Sequence, residues 1–176
     1  MFSVGAGIFF YISSPATELV TYFLFAAAFC VFLNGFFDAI DGKVAKLTNK
    51  TSLHGDFLDH ALDRYADVFM VGGLALSTWC RPSVGLLAII GVLMTSYMGT
   101  QAQAIGQKRD YSGLLGRADR LVLLMIVPIL QHIMLRYPLS LPWNTTVLEW
   151  ILIYFAVIGN VTALQRFYST LKNIKK

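Results

Sequence analysis

Charged residues are scarce in this chain, since only 14% of its 176 residues are Asp, Glu, Lys or Arg. A soluble domain usually has about one quarter charged residues, whereas 56% of this chain is hydrophobic. The composition therefore excludes an ordinary soluble domain and indicates a polytopic membrane protein. The length suits one domain over residues 1–176.

Cysteine and histidine are also few, with two and three residues respectively. Cys30 and Cys80 both fall in apolar runs, so we interpret them as small packing residues and expect no disulfide framework. A zinc site needs closely spaced ligands and is not expected. The first apolar run has no basic segment before it, so we expect no cleavable signal peptide. Membrane topology explains the net charge of +4 better than a nucleic-acid partner does.

Apolar runs separated by short polar or proline-containing turns predict six helices, because a helical span needs roughly 20 apolar residues. The predicted ranges are 1–13, 16–46, 53–79, 84–106, 117–135 and 147–171. The first run is short for a span, which suggests that the first helix lacks its beginning. The predicted fold class is an all-α integral membrane protein with a bundle of six transmembrane helices.

Lysine and arginine predict the orientation, because cytoplasmic loops of membrane proteins have an excess of both. One side of the predicted bundle holds Lys43, Lys46, Lys50, Lys108, Arg109, Arg117, Arg120, Lys172, Lys175 and Lys176. The opposite side has only Arg81 and Arg136. We therefore expect a multi-pass protein of the cell membrane with the first side in the cytoplasm. Trp79, Trp143 and Trp150 fall near the outer face, where aromatic belts form.

Four aspartates interrupt the apolar pattern near the cytoplasmic ends of the second and third predicted helices. Asp38 and Asp41 are spaced i, i+3, and Asp59 and Asp63 are spaced i, i+4, so each pair shares one helical face. The short intervening loop predicts that the two helices are antiparallel neighbours whose carboxylates face one cleft. Acids near hydrocarbon need compensating positive charge, and oxygen ligands suit Mg²⁺ or Mn²⁺. Two such ions are the usual arrangement for displacement at phosphorus.

Other interpretations of the acids remain open. They could form a structural ion-pair network with Lys43, Lys46 and Arg64, although pairing would not require this spacing. They could also serve a divalent-cation transporter or channel, although they cluster at one face instead of following a path. Asp67 continues the face of Asp59 and Asp63 and could pair with Arg64 or His60 or shape the acceptor pocket. We favour a structural role for it. We interpret His60 as a packing or hydrogen-bonding residue.

The stretch from Asp38 to Asp63 reads D-x2-D-G-x2-A-K-x8-G-x3-D-x3-D, and it resembles the motif of the CDP-alcohol phosphotransferase family. Every spacing matches, and the one departure is Lys46, which stands where the family has arginine. The resemblance implies an enzyme in which an alcohol displaces CMP from a CDP-linked donor, often a CDP-lipid, to make phospholipid precursors. It also implies a homodimer surrounded by membrane lipids.

Carried over residue by residue, the resemblance implies that Asp38, Asp41 and Asp59 are metal ligands. It implies that Asp63 both contacts metal and acts as the general base on the acceptor hydroxyl. The positions that match the family's CDP-binding residues are Asp38, Gly42, Ala45, Lys46, Gly55 and Asp59. Composition alone would equally allow Gly42, Ala45 and Gly55 to be helix-packing residues. Lys46 can supply charge to a phosphate, but it lacks the planar fork of arginine.

Basic residues around the loop between the fourth and fifth predicted helices favour a phosphorylated acceptor. The candidate acceptor-binding residues are Ser96, Arg109, Arg117 and Arg120. Positive-inside bias explains most of the basic residues, but Arg117 and Arg120 are spaced i, i+3 at a helix start and could cradle an anion. Family members that use inositol phosphate keep basic residues after a Ser-Tyr pair, and residues 98–103 of this chain have none. Glycerol phosphate and inositol phosphate both remain open, with this departure counting against the second.

Overall fold

The structure is a computed structural model that describes residues 1–16, 21–48, 52–107, 112–137, 142 and 145–174, without the side chains of residues 45 and 46. Six helices lie in these residues: α1 Phe2–Ile12, α2 Phe23–Leu47, α3 Leu53–Ala75, α4 Pro82–Ala104, α5 Arg117–Met134 and α6 Val147–Ile174. The predicted all-α architecture of six helices is confirmed. At its C-terminal boundary, α3 ends at Ala75 and does not continue to Trp79.

The helices follow one another around a ring whose order differs from the order of the chain. Helix α1 packs against α2 and α3, α3 packs against α4, α4 against α6, α6 against α5, and α5 against α2. The prediction that α2 and α3 are direct neighbours is wrong in the described part of the chain, where they are not among the closely packed pairs. Helix α1 packs against both of them.

Two pairs of glycines allow the closest helix crossings. A side chain at Gly73 of α3 would clash with the backbone of Gly7 in α1. A Cβ atom at Gly159 of α6 would come within 2.8 Å of the carbonyl carbon of Gly91 in α4. Thr95 Oγ1 donates a hydrogen bond of 2.7 Å across this second crossing to the Gly159 carbonyl. The α4–α6 contact therefore holds together two of the helices that line a polar cavity.

Three helices are long and apolar enough to cross a bilayer, over Phe23–Val44, Pro82–Ala104 and Val147–Ile174. Helix α1 is apolar but has only 11 residues, as the short first run suggested, and α3 and α5 have charged side chains in their first halves. Large apolar side chains such as Phe29 and Leu86 are exposed on the outer surface, where hydrocarbon can cover them. The chain is a membrane protein.

The end of the bundle opposite the aspartates is closed around Trp79. This residue is 2% exposed, and its indole Nε1 donates a hydrogen bond of 2.8 Å to Ser13 Oγ. Thr146 Oγ1 donates one of 2.7 Å to the Trp79 carbonyl. Trp79 therefore lies at the end opposite the aspartates, as predicted, but its side chain belongs to the core and not to an exposed aromatic belt. Trp143 lies outside the described residues, and Trp150 is exposed.

Candidate active site

The first turn of α3 is fixed by a side-chain cap. Ser52 Oγ accepts a hydrogen bond of 3.0 Å from the Gly55 N–H, as helix N-caps commonly do. Asp56 lies in the first turn, where a carboxylate interacts favourably with the helix dipole. A Cβ atom at Gly55 would approach Ser52 Oγ to 3.3 Å, so this glycine has a local structural role besides its predicted contact with the nucleotide.

Beyond this cap, α3 presents a group of possible metal ligands. One ligand atom each from Asp59, His60 and Asp63 lie within 4.8 Å of one another. Asp63 is 7% exposed, and both Asp38 of α2 and Asp59 repel its carboxylate. Carboxylate oxygens with an imidazole nitrogen suit a divalent cation such as Mn²⁺, so these residues fit a metal. His60 belongs to this group, although its predicted role was packing or hydrogen bonding, and its place between two motif aspartates was the one signal for it in the sequence.

The second motif aspartate lies at the edge of this arrangement. Asp41 and Gly42 are exposed on α2, and a Cβ atom at Gly42 would meet nothing within 4 Å. Asp41 makes no ion pair with any residue that the structure describes. The predicted CDP-binding side chains of Ala45 and Lys46 lie outside the described part of the chain. The structure therefore brings Asp38 to the α3 acids and leaves the space beside Asp41 and Gly42 open.

Arg117, the first residue of α5, joins the acids of α2 to those of α3. Its Nη1 atom lies 2.8 Å from Asp38 Oδ2, and its Nη2 atom lies 2.5 Å from Asp63 Oδ1. The start of α5 is held by the Gly116 N–H, which donates a hydrogen bond of 2.8 Å to Asp119 Oδ2. One guanidinium thus bridges two helices that do not pack closely themselves. The predicted ion-pair network included Arg64, which does lie near Asp63, but it did not include Arg117, which joins the two helices.

A second ion pair is buried one turn further along α5. Arg120 Nη2 lies 3.0 Å from Asp67 Oδ2, and Arg120 Nη1 donates a hydrogen bond of 3.2 Å to the Val92 carbonyl. Arg120 and Asp67 are both 2% exposed. Arg64 Nη2 lies 3.6 Å from the same Asp67 oxygen and 3.7 Å from Asp63 Oδ2. The predicted pairing of Asp67 with Arg64 is found, but its partner Arg120 was not predicted.

A cavity of about 180 Å³ opens beside both ion pairs. Its polar lining includes Asp63, Arg64, Ser96, Arg117, Arg120 and Arg166. Four guanidinium groups around so small a space favour an anion, and guanidinium groups match the geometry of phosphate oxygens. Three of the predicted acceptor-binding residues, Ser96, Arg117 and Arg120, line this cavity, while Arg109 lies outside the described residues.

Arg166 reaches the cavity from α6. Its Nε donates a hydrogen bond of 2.8 Å to the Ser112 carbonyl, and its Nη1 donates one of 2.7 Å to the Thr95 carbonyl. Arg166 was not among the predicted site residues. The sequence did contain a signal for this residue, because a charged residue within a membrane helix is a candidate functional residue.

The chain is similar to known proteins in sequence and in fold. The sequence profile of the CDP-alcohol phosphatidyltransferase family matches residues 1–162. An archaetidylinositol phosphate synthase of Pyrococcus horikoshii is 29% identical over 143 residues, which are 81% of this chain and 68% of that protein. A phosphatidylinositol phosphate synthase of Streptomyces avermitilis is 36% identical over 99 residues, which are 52% of this chain and 40% of that protein.

Solved structures show a similar fold. The crystal structure of phosphatidylinositol phosphate synthase from Mycobacterium tuberculosis with CDP-DAG bound has a TM-score of 0.69 at 24% identity, over 96% of this chain and 80% of that one. The same enzyme in complex with manganese and citrate has a TM-score of 0.70 at 23% identity, over 96% of this chain and 77% of that one.

Proposed function

Since this chain belongs to the CDP-alcohol phosphatidyltransferase family, we propose that it transfers a phosphatidyl-type group from a CDP-lipid to a small phosphorylated alcohol and releases CMP. It is an enzyme of the phosphotransferase class. The observation that supports this substrate pair is the arginine-lined cavity, which opens directly at the Asp63 carboxylate. An anionic acceptor held there by its phosphate has its hydroxyl next to an acid.

The proposed cation is Mg²⁺ or Mn²⁺, with two ions in the site. Asp38, Asp59 and Asp63 would hold it, together with Asp41 as the motif implies, and their carboxylates suit hard cations. The related enzyme from M. tuberculosis was crystallised with manganese. When bound, such ions neutralise the pyrophosphate of the donor and stabilise the leaving CMP.

Asp63 is the proposed general base. The acceptor hydroxyl oxygen forms a new bond to the lipid-side phosphorus of the donor, the bond from that phosphorus to CMP breaks, and the hydroxyl proton passes to the Asp63 carboxylate. Asp63 is buried at the point where the acids meet the cavity. A buried carboxylate in that position can reach the acceptor while Gly42 and Lys46 of the motif contact the CDP moiety.

Inositol phosphate is the acceptor that we favour over glycerol phosphate. The two related synthases described above are named for inositol phosphate lipids. The sequence argument against this acceptor was the lack of basic residues after Tyr97 on α4. In the structure Arg64, Arg120 and Arg166 supply positive charge to the cavity from α3, α5 and α6, so that argument loses its force.

The donor and the setting complete the proposal. A diacyl and a diether CDP-lipid both fit, because the related synthases include phosphatidyl and archaetidyl enzymes. We propose that the protein lies in the cell membrane as a homodimer with its charged end facing the cytoplasm, since lysine and arginine concentrate at that end. A divalent-cation transporter is not favoured, because the acids cluster at one end of the bundle.

The test is an assay of CMP release by the purified full chain in lipid nanodiscs. CDP-diacylglycerol and its diether counterpart are each offered with inositol phosphate or glycerol phosphate, in the presence of Mg²⁺ or Mn²⁺. We expect CMP release with inositol phosphate and loss of that release when EDTA removes the cation. A chain that binds CDP-lipid but releases no CMP with any of these acceptors would contradict the proposal.

A further inference from the structure

We propose that Arg117 is a positioning residue that competes with the divalent cation for Asp38 and Asp63 and turns to the anionic acceptor when the cation binds. The inference rests on the proposed function, because it takes these two aspartates as metal ligands. It assigns to Arg117 a second task besides contact with the acceptor, namely to hold the two acids together until the cation arrives.

The contacts of the guanidinium group are the first support. Arg117 Nη1 and Nη2 lie 2.8 Å and 2.5 Å from the oxygens of Asp38 and Asp63. A divalent cation bound by these carboxylates would use the same oxygen lone pairs, and it would repel a guanidinium at that distance. The cation and the Arg117 head group therefore exclude each other from the two aspartates.

The surroundings of Arg117 allow its head group to move while its backbone stays in place. The loop before α5 is tied to α6, where the Leu114 N–H donates a hydrogen bond of 3.3 Å to Thr162 Oγ1. The Gly116 N–H is bonded to Asp119. The Arg117 side chain is 21% exposed and also lines the arginine cavity. Rotation about side-chain bonds can therefore carry the guanidinium from the acids to the cavity.

Arg120, on the same helix, has a guanidinium group that is held in place by partners outside the aspartate motif. Its two Nη atoms are taken by Asp67 and by the Val92 carbonyl, and neither group belongs to the aspartate motif. The Nε groups of Arg117 and Arg120 are both buried without a hydrogen-bond partner in the described residues, so each can donate to an anion in the cavity. Of these two arginines of α5, Arg117 is the one bound to proposed metal ligands, so the cation would release Arg117 and not Arg120.

Release of Arg117 by the cation couples two binding events. Once displaced, the guanidinium adds positive charge to the cavity that receives the acceptor phosphate. Because coupling between sites is reciprocal, an acceptor that engages Arg117 would in turn leave the acids free for the cation. The cation and the acceptor are therefore expected to favour each other's binding.

The test measures Mn²⁺ binding to the purified full chain in nanodiscs by electron paramagnetic resonance, without nucleotide or acceptor. Arg117→Gln removes the competing charge, and we expect Mn²⁺ to bind roughly tenfold more tightly than to the wild type. Arg117→Lys keeps a charge but has no fork to span both acids, so it should give a smaller gain. Lys43→Gln removes an exposed cation from α2 and should change the affinity by no more than about twofold.

Mn²⁺ affinity that is unchanged or lower in Arg117→Gln would overturn the inference, because a merely structural arginine gives that result. Should Arg117→Gln fail to fold, Arg117→Lys decides, and affinity no higher than in the wild type would overturn the inference. A wild-type chain that binds no Mn²⁺ would also overturn it. CMP release is measured separately, so an active wild type with unaltered Mn²⁺ binding in the variants rejects this inference alone.

Discussion

At the charged end of the bundle, Arg117 contacts Asp38 and Asp63 on two different helices, and a cavity opens beside them. At the opposite end, Glu149 Oε1 accepts both of its hydrogen bonds from Arg81, at 3.1 Å from the backbone N–H and 2.6 Å from Nε. The first arrangement leaves its groups able to exchange partners. The second joins the residue before α4 to the first turn of α6 through one pair of side chains.

The opposite end also connects segments that are far apart in sequence. Gln131 Oε1 accepts a hydrogen bond of 2.8 Å from the Val147 N–H at the start of α6, and the Trp79 indole reaches Ser13. Each contact satisfies a buried polar group, which is expensive to leave unpaired. We therefore expect substitutions at the charged end to reduce turnover mainly, and substitutions at the opposite end to reduce stability mainly.

The largest expected effect is that of Asp63→Asn. The variant keeps the shape of the side chain but cannot accept the hydroxyl proton, so CMP release should fall by roughly 10²- to 10⁴-fold. Asp56→Asn is the matched control, because Asp56 is an exposed acid in the first turn of the same helix, and its turnover should stay near that of the wild type. The measurements are initial rates and thermal unfolding of both variants. Turnover of Asp63→Asn near the wild-type rate would remove Asp63 as the base.

The next largest effect tests whether the pair of Arg120 and Asp67 also stabilises the charged end. Arg120→Met leaves Asp67 as a buried and poorly compensated charge, which should cost about 3–5 kcal/mol of stability. Adding Asp67→Leu removes that charge, so the double variant should regain much of the loss. Denaturant unfolding in detergent measures both. A double variant as unstable as the single one would show that the pair of Arg120 and Asp67 is not what stabilises this region.

At the opposite end, Glu149→Gln should lower stability by about 1–3 kcal/mol, the usual cost of weakening a buried charge-assisted hydrogen bond. Turnover per folded molecule should not change, since Glu149 lies in the first turn of α6, at the end of the bundle opposite the acids of α2 and α3. Arg136→Gln removes an exposed charge after α5 at the same end and serves as the control with no expected effect. Unfolding curves and CMP release are compared for the two variants. A selective loss of turnover in Glu149→Gln would contradict the expectation that substitutions at this end mainly reduce stability.

The elements that could be predicted from the sequence depend on neighbours along the chain. The spacing of Asp59 and Asp63 determines that they share a face of α3, and apolar runs determine where helices form. The order of helices around the ring could not be predicted in this way. It depends on backbone crossings such as that of Gly91 with Gly159. A small residue in a membrane helix indicates a close contact but does not identify the helix that makes it.

The same distinction, between features set by neighbours along the chain and features set by contacts between helices, applies to the candidate site. The four aspartates stand out in the sequence because of their spacing and their cost near hydrocarbon. The bridge from Arg117 to Asp38 spans 79 positions, and Arg166 is held by backbone carbonyls of other segments. Since every residue offers a carbonyl, no residue pattern marks these partners. The acids were therefore predictable, and the arginines that complete the cavity were only partly so.

The smallest expected effect concerns Gly42, which lies on the open side of the charged end. Alanine there meets nothing within 4 Å and raises helix propensity by up to about 1 kcal/mol, so the protein should become slightly more stable. If CDP lies against this backbone, the added methyl group should raise the KM for the CDP-lipid by roughly threefold or more. Gly35→Ala is the matched control on α2, because its Cβ atom would lie at 3.4 Å from Leu121 Cδ1, an ordinary contact. Steady-state kinetics with varied CDP-lipid compare the two, and equal KM values would mean that Gly42 is simply exposed helix surface.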